Sequence, residues 1–273
     1  MTQIRQTVKN SLPRPVLGAA RETRDFISRS LEWPAATFHP WRRESIHRLA
    51  ALRDTHRGER CFIIGNGPSL KNTDLQKLKS EFTIGMNRIF LAFPEIGFKT
   101  SVLLSVNDLV VEQSAQEIQA LEIPRFLSWR ARRWIRPDDT LHFLYTTYTG
   151  PKFARDVTGR LWEGATVTYT ALQLAYHLGF ATVILIGVDH SFVTKGKPNT
   201  TVVSQGDDPN HFDPAYFGKG FRWQLPDLDT SEQAYWMARK AYEESGRRVI
   251  DATVGGKLQI FPKADYEGLF QKV

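Results

Sequence analysis

The chain reads as an α/β protein of Rossmann-like plan, a mostly parallel sheet flanked by helices, with a basic helical extension at its N-terminus. Three features lead there. From residue 60 onward, apolar runs of strand length alternate with turns and with stretches of helical period, the rhythm of strands joined through helices. One stretch supplies a whole unit: Val167, Ala171, Leu174 and Leu178 recur on one helical face, Gly179 is placed to end the helix, and Thr182–Ile186 follows as an apolar strand. Charge is also lopsided, since residues 1–60 hold twelve Arg or Lys against six Asp or Glu, a balance of +6 out of +7 for the whole chain.

The elements follow in order. Residues 1–57 are expected to form the basic appendage and 58–273 the Rossmann-like domain. Within the appendage Leu17, Ala20, Ile27 and Leu31 fall at helical spacing among Arg21, Arg24 and Arg29. That pattern suits the surface of an anionic bilayer, or equally a helix packed on its own domain or on a partner subunit. Pro13, Pro15, Pro34 and Pro40 are expected to break the segment into short pieces. Further strands are expected at Cys61–Ile64, Thr83–Met86, Ser101–Ser105 and Leu141–Tyr145, each of a length that suits a parallel sheet. Thr230 and Gln233 have capping-box spacing and open a helix to about Ser245, with Ala234, Met237, Ala238 and Ala241 inward. Gly246 stops it and Arg248–Asp251 is the last strand. Residues 195–229 are rich in Gly, Pro, Asn and Asp yet carry aromatics, and so long a stretch without period suggests an active-site loop.

Composition bounds the function. With 273 residues, 41% hydrophobic and 24% charged, the chain suffices for one sizeable core. It contains no apolar run of membrane-spanning length and no secretory leader pattern, so a cytoplasmic location is expected, with peripheral contact at the inner face of the cell membrane through the N-terminus as the lipid-binding alternative requires. The one cysteine, Cys61, lies in an apolar run and reads as a buried, inert thiol. Basic charge confined to the appendage argues against a nucleic-acid binder. No Cys or His cluster suggests zinc.

The run Phe62–Leu70 passes from a buried strand into a turn whose Gly65 and Gly67 let an anion approach the main chain. Pro68 suits a first helical position, leaving nearby amides and the Ser69 hydroxyl to donate. The run is neither the Lys-Ser/Thr phosphate loop nor the three-glycine dinucleotide fingerprint. A glycine pair is also compatible with nothing more than a tight connection.

Ile64-Gly-Asn-Gly-Pro-Ser-Leu-Lys71 resembles the opening strand and loop of the bacterial sialyltransferases of glycosyltransferase family 42, and of the larger MptE-like group (domain of unknown function 115). That group includes flagellin-modifying Maf proteins and archaeal 6-hydroxymethylpterin diphosphokinase. Gly85-Met-Asn-Arg88, Ser105-Val-Asn-Asp108, Ile186-Gly-Val-Asp189 and Asn210-His-Phe212 follow in the same order, so the resemblance spans roughly residues 60–265. It implies that Asn66, Asn87 and Asn107 hydrogen-bond the nucleotide and its phosphates, within a donor site of Gly65, Asn66, Gly67, Ser69, Asn87, Asn107, Asp108 and Thr166. Asn87 and Asn107 could equally cap turns after strands.

An inverting sugar transfer needs a base for the acceptor hydroxyl, and histidine titrates in the right range. The resemblance places the general base at His211, with Asn210 and Asp213 beside it to orient the ring. His190, after Asp189 at the end of a strand, is the second candidate. The sialyltransferases carry two tyrosines after the Gly-x-Asp strand end, whereas Ser191 stands here in the first position. Lys195, Lys197 or Tyr216 would then stabilise the leaving phosphate, and sialic acid as the donor sugar is thrown into question.

Asp108 and Asp189 pose a fork: the sialyltransferase resemblance implies no cofactor and no metal, the diphosphokinase resemblance implies Mg²⁺ and ATP. Aromatics and arginines between Arg125 and Tyr148 could meet an acidic glycan or a lipid-linked phosphate, or could form a plain basic surface. Thr253 and Lys257 could donate to substrate or merely frame a glycine turn. The function expected is a glycosyltransferase of cell-surface polysaccharide synthesis, with a nucleotide-sugar donor, CMP-linked, and a glycan or lipid-linked acceptor. A homo-oligomer is compatible with the sequence.

Overall fold

The computed structural model describes residues 23, 26, 27, 30–194 and 196–271. The chain opens with a helix over 30–38 (α1) and a second over Pro40–Ala51 (α2). An eight-stranded sheet follows, made of β1 (Arg60–Ile64), β2 (Thr83–Met86), β3 (Val102–Ser105), β4 (Arg125–Ser128), β5 (Leu141–Thr147), β6 (Arg160–Trp162), β7 (Thr182–Ile186) and β10 (Arg248–Asp251). Its order is β10-β7-β1-β2-β3-β4-β5-β6, and every pairing is parallel. The α/β expectation holds.

Alternation along β1 shows how these residues make the core. Cys61 and Ile63 turn to one layer and Phe62 and Ile64 to the other, all four fully buried. The first layer is closed by α6 (Val167–Leu178) and α7 (Leu228–Glu243), which supply Leu172, Leu174, Ala238 and Tyr242. Burial pushes the Cys61 thiol pKa well up, so it is the inert group expected. The second layer is closed by 3₁₀ turns and by the short helices α3 (Phe93–Ile96), α4 (Asp108–Gln113) and α5 (Ala115–Gln119). Gly179 ends α6 in the left-handed region at φ 101°, as its position in the sequence suggests.

The chain steps outward from β1 to β6 and then returns, so that β7 pairs with the other side of β1. This reversal makes the carboxyl ends of β1 and β7 the switch point, where open parallel sheets hold ligands.

Several expectations change. The boundary at 57 does not separate two units: Leu49 of α2 is fully buried, Ser45 Oγ accepts from Phe143 N of β5 at 3.0 Å, and His177 Nε2 meets Leu49 O at 2.7 Å. A helix carrying this many basic residues packs inward because its arginines reach out of the core or bond carbonyls, as Arg42 does with Thr158 O at 2.6 Å. Pro34 does not break α1. The helix runs through it, and exposed Pro34 forfeits only the bond its missing amide would have made. Leu17 and Ala20 lie outside the described residues. The N-cap of α7 is Asp227, whose carboxylate accepts from Thr230 N at 3.1 Å, rather than Thr230 itself. β4 and β6 were not expected, because each is short and begins with an arginine that masks the apolar signal. Segment 195–229 carries a hairpin of β8 (Thr201–Val203) and antiparallel β9 (Arg222–Gln224).

Candidate functional site

A cavity of about 460 Å³ opens at the switch point, bounded by the carboxyl ends of β1, β2, β3 and β7, the N-termini of α6 and α7, and the segment of the β8–β9 hairpin. The Gly-Asn-Gly turn forms its floor, but not in the way expected. Gly65 N donates to Ile186 O at 2.8 Å and Gly67 N to Gly187 O at 2.9 Å, so the turn after β1 is laced to the turn after β7. Ser69 donates through its amide (3.1 Å) and its hydroxyl (2.6 Å) to the Asp189 carboxylate. The amides and hydroxyl expected to be free for phosphate are thus held by the protein's own carbonyls and its own anion. Ser69 does not line the cavity; Gly65, Asn66, Gly67 and Asp189 do.

The glycines are required for this close approach. A Cβ on Gly65 would stand 2.6 Å from the Gly187 carbonyl carbon, and one on Gly67 would fall on the Asp189 carboxylate. Gly65→Ala is therefore expected to lose about 3 kcal/mol of stability by overpacking backbone against backbone. Urea unfolding checks this, and a midpoint equal to wild type would refute it.

The three asparagines divide by role. Asn66 Nδ2 donates to Met86 O at 3.1 Å, while its buried Oδ1 has no partner among the described residues. An unpaired amide oxygen can only accept, which suits a hydroxyl or amine and not a phosphate oxygen. Asn87 sits at φ 50°, a left-handed conformation that asparagine tolerates, and its Oδ1 accepts from Ser105 Oγ at 2.9 Å. Asn107 caps α4, its Oδ1 accepting from Leu109 N (2.9 Å) and Val110 N (3.3 Å). The capping alternative is correct for Asn107, although its residue lines the cavity as well. Thr166 likewise caps α6 by accepting from Thr168 N, and its hydroxyl lies 3.2 Å from the Tyr235 hydroxyl.

His211 lines the cavity beside the turn. Its Nδ1 lies 2.7 Å from Oδ2 of buried Asp208, and its ring stacks on Tyr216 with centroids 4.0 Å apart. Asn210 and Asp213 do not orient the ring. Asn210 accepts from Val193 N and donates to Thr194 Oγ1, and Asp213 accepts from Ala215 N. The segment is tied to the floor by Phe212 N donating to Asn66 O at 2.9 Å. Among the described residues His211 Nε2 has no hydrogen-bond partner.

His190 also lines the cavity, at φ 53°, with Nε2 2.9 Å from Glu232 Oε1. Tyr216 lines it from beneath His211, fully buried, with its phenol pKa pushed up by burial. Lys197 is exposed and stands away from the lining; Lys195 lies outside the described residues. Thr253 supports the site from outside, its hydroxyl accepting from Val188 N at 3.1 Å, and neither it nor Lys257 reaches the cavity.

Sequence reasoning named Asp108 and the Arg125–Tyr148 stretch but missed Glu163 and the pairing that makes the far wall. Arg130 donates through Nε to both Asp108 oxygens (2.8 and 2.9 Å) and through Nη2 to Glu163 Oε1 (2.7 Å), and its guanidinium lies 4.7 Å from the Tyr148 ring centroid. Asp108, Glu163 and Tyr148 all line the cavity. The residues are far apart in sequence and only β4, β5 and β6 bring them together. The rest of the aromatic and arginine-rich stretch is structural: Phe126, Trp129 and Phe143 are in the core, Arg125 pairs with Asp138 and Arg132 with Glu32.

Among the described residues the lining holds Asp108, Glu163, Asp189 and Asp227 but no Lys or Arg. The N-terminal turn of α6, capped by Thr166 and free of acidic residues, also ends at the cavity and presents the positive end of its dipole there, whereas that of α7 carries Asp227 and Asp229. No described group of three His, Cys, Asp or Glu is placed to hold a metal. Asp108 is committed to Arg130 and Asp189 to Ser69, so the donor set does not fit a resident hard cation.

The family described as 6-hydroxymethylpterin diphosphokinase MptE-like matches residues 41–195. Among solved structures, the Maf glycosyltransferase from Magnetospirillum magneticum AMB-1 is similar at a TM-score of 0.51 and 14% identity. That match covers 84% of this chain and 39% of the Maf protein, a likeness of fold over well under half of the larger chain. A mammalian sialyltransferase, solved with Gal-beta-1-3GalNAc-ortho-nitrophenol, matches at a TM-score of 0.34 and 13% identity over 80% of each chain, too low to build on. No curated protein matches.

Proposed function

The chain belongs to the MptE-like family, and from that premise we propose that it is an inverting glycosyltransferase moving a sugar from a nucleotide-linked donor, CMP-linked, to a glycan or lipid-linked acceptor of the cell surface. The observation that carries the proposal is the His211–Asp208 pair on the cavity wall. A carboxylate can only accept, so it fixes the proton on Nδ1 and leaves the Nε2 lone pair as a base. His211 takes the acceptor hydroxyl proton as that oxygen bonds the anomeric carbon; the bond from that carbon to the donor phosphate oxygen breaks on the opposite face, and the nucleotide leaves with the electron pair.

The N-terminal turn of α6 faces the departing phosphate, where a fixed dipole opposes developing charge. Asn66 Oδ1 accepts from a ribose hydroxyl or a base amine of the donor. His190 and Asp189 complete the wall, and no metal takes part. Lys197, exposed and away from the lining, has no part in this scheme.

The diphosphokinase alternative draws on the family description and on the acid-rich lining, which would call for a divalent counter-charge beside ATP. Calorimetric titration with CMP, CDP, UDP, GDP and ATP, each with Mg²⁺ and with EDTA, separates the two. CMP binding that is indifferent to EDTA is expected, with about 2.7 kcal/mol of added stability at a hundredfold excess over Kd. Mg-ATP as the one ligand would replace the glycosyltransferase with the kinase, and nucleotide binding with neither transfer nor donor hydrolysis altered by His211→Ala would leave a non-catalytic nucleotide-binding scaffold.

A further inference from the structure

Helix α1 shows two faces. One is docked: Glu32 accepts from Arg132 Nη2 at 2.8 Å and pairs with Arg133, and Ala36 is buried against the core layer that holds Trp129. The other faces solvent and carries five exposed apolar side chains, with Ser30, Pro34 and Thr37 set among them. Phe26 is 63% exposed, Leu31 76% and Phe38 62%, with Ile27 and Trp33 each more than half exposed. At about 100° per residue these five fall within an arc of roughly 160°. Phe26 and Ile27 are themselves helical, the Phe26 carbonyl accepts from Ser30 Oγ at 2.9 Å, and Thr37 Oγ1 donates to Trp33 O in the same way. Among the described residues, five of the ten exposed large hydrophobic residues are gathered here, within thirteen positions.

We propose that this face of α1 docks on an anionic lipid surface. Residues 1–60 carry a balance of +6, and a broad apolar face set in a basic segment is the signature of a helix lying in a membrane interface. Charge decides between occupants. A second copy seated on the same face would bring two such basic segments together, whereas anionic headgroups attract them. No described helix is long and apolar enough to cross a membrane, so the contact is lateral. Glu32 grips Arg132 and Arg133, which follow within three residues of Arg130 beside the cavity. Docking through α1 therefore brings that side of the cavity toward the lipid surface; only this consequence, delivery of a lipid-linked acceptor, rests on the glycosyltransferase reading.

The test is flotation of the full chain with vesicles of phosphatidylcholine alone and of an equimolar mixture of phosphatidylcholine and phosphatidylglycerol. Wild type is expected to float with the mixture, much less with phosphatidylcholine, and to be released by high salt. The triple variant Phe26→Ser, Leu31→Ser, Trp33→Ser should lose at least about a hundredfold in partitioning, with its circular dichroism and thermal midpoint unchanged because all three side chains are exposed. Trp236→Ser, exposed on α7, is the control and should float like wild type. Equal flotation of wild type and triple variant overturns the proposal, as does no flotation of wild type. Self-association in sedimentation velocity that the triple variant abolishes, without flotation, assigns the face to a second copy instead. None of these outcomes depends on nucleotide binding or turnover, so failure here and failure of the glycosyltransferase reading are told apart.

Discussion

His211→Ala is expected to lower kcat by about 10²–10⁴-fold, the usual contribution of a general base, with donor affinity nearly unchanged. Loss in kcat with binding intact is the mark of a group that acts in the transition state. His211 is suited to the role because both faces of its placement are fixed. Asp208 holds Nδ1, and Tyr216 stacks beneath the ring at 4.0 Å. Asp208→Ala releases the ring and its tautomer and is expected to cost up to about 10⁴-fold in kcat, the loss that follows when the carboxylate fixing the tautomer of a general-base imidazole is replaced. Single-turnover transfer beside calorimetric donor titration reads both quantities. Full kcat in His211→Ala would remove this histidine from the chemistry and leave His190, paired with Glu232, as the remaining imidazole on the lining.

The sheet was legible from sequence wherever burial on both faces wrote an unbroken apolar run. β2, β7 and β10 match the expected residues and β1, β3 and β5 differ by one or two positions. β4 and β6 were hidden because their first residues are arginines engaged in tertiary bonds, Arg125 with Asp138 and Arg160 with Thr147 Oγ1. The strand-end motifs around Gly65, Asn87, Asn107 and Asp189 do converge on one cavity, since parallel strands bring their carboxyl ends to one edge. What sequence could not reveal is which donors and acceptors remain available. Gly65, Gly67 and Ser69 have the form of an anion-binding turn, yet their amides are consumed by the loop after β7, a partner more than 115 residues away. Asp208 was passed over for nearer neighbours of His211, because the turn at Asn210 carries the chain back on itself: Asn210 N donates to Asp208 Oδ1 at 2.9 Å. The same limit hid Arg130, whose partners lie on three different connections.

That guanidinium carries the second large effect. Burial opposes the Arg130 charge, but Glu163, Tyr148 and Asp108 outweigh burial and hold its pKa above the ordinary arginine value, so it stays charged at any working pH. Arg130→Met keeps the length of the side chain and removes the charge, leaving Glu163, 9% exposed, and Asp108, 26% exposed, facing one another without a cation. Breaking a buried pair in this way costs about 3–5 kcal/mol, and the partial exposure of Asp108 puts the expectation at the lower end. Urea unfolding measures it, and a loss below about 1 kcal/mol would mean the pair is effectively solvated. The double variant Arg130→Met, Glu163→Gln separates a lost attraction from a stranded charge. If the stranded carboxylate dominates, removing it should restore about 1 kcal/mol or more relative to Arg130→Met alone, a coupling that non-interacting sites do not show. Donor affinity should fall in the single variant as well. The Tyr148 ring then loses the cation beneath it, and two uncompensated carboxylates face the cavity into which an anionic nucleotide must enter.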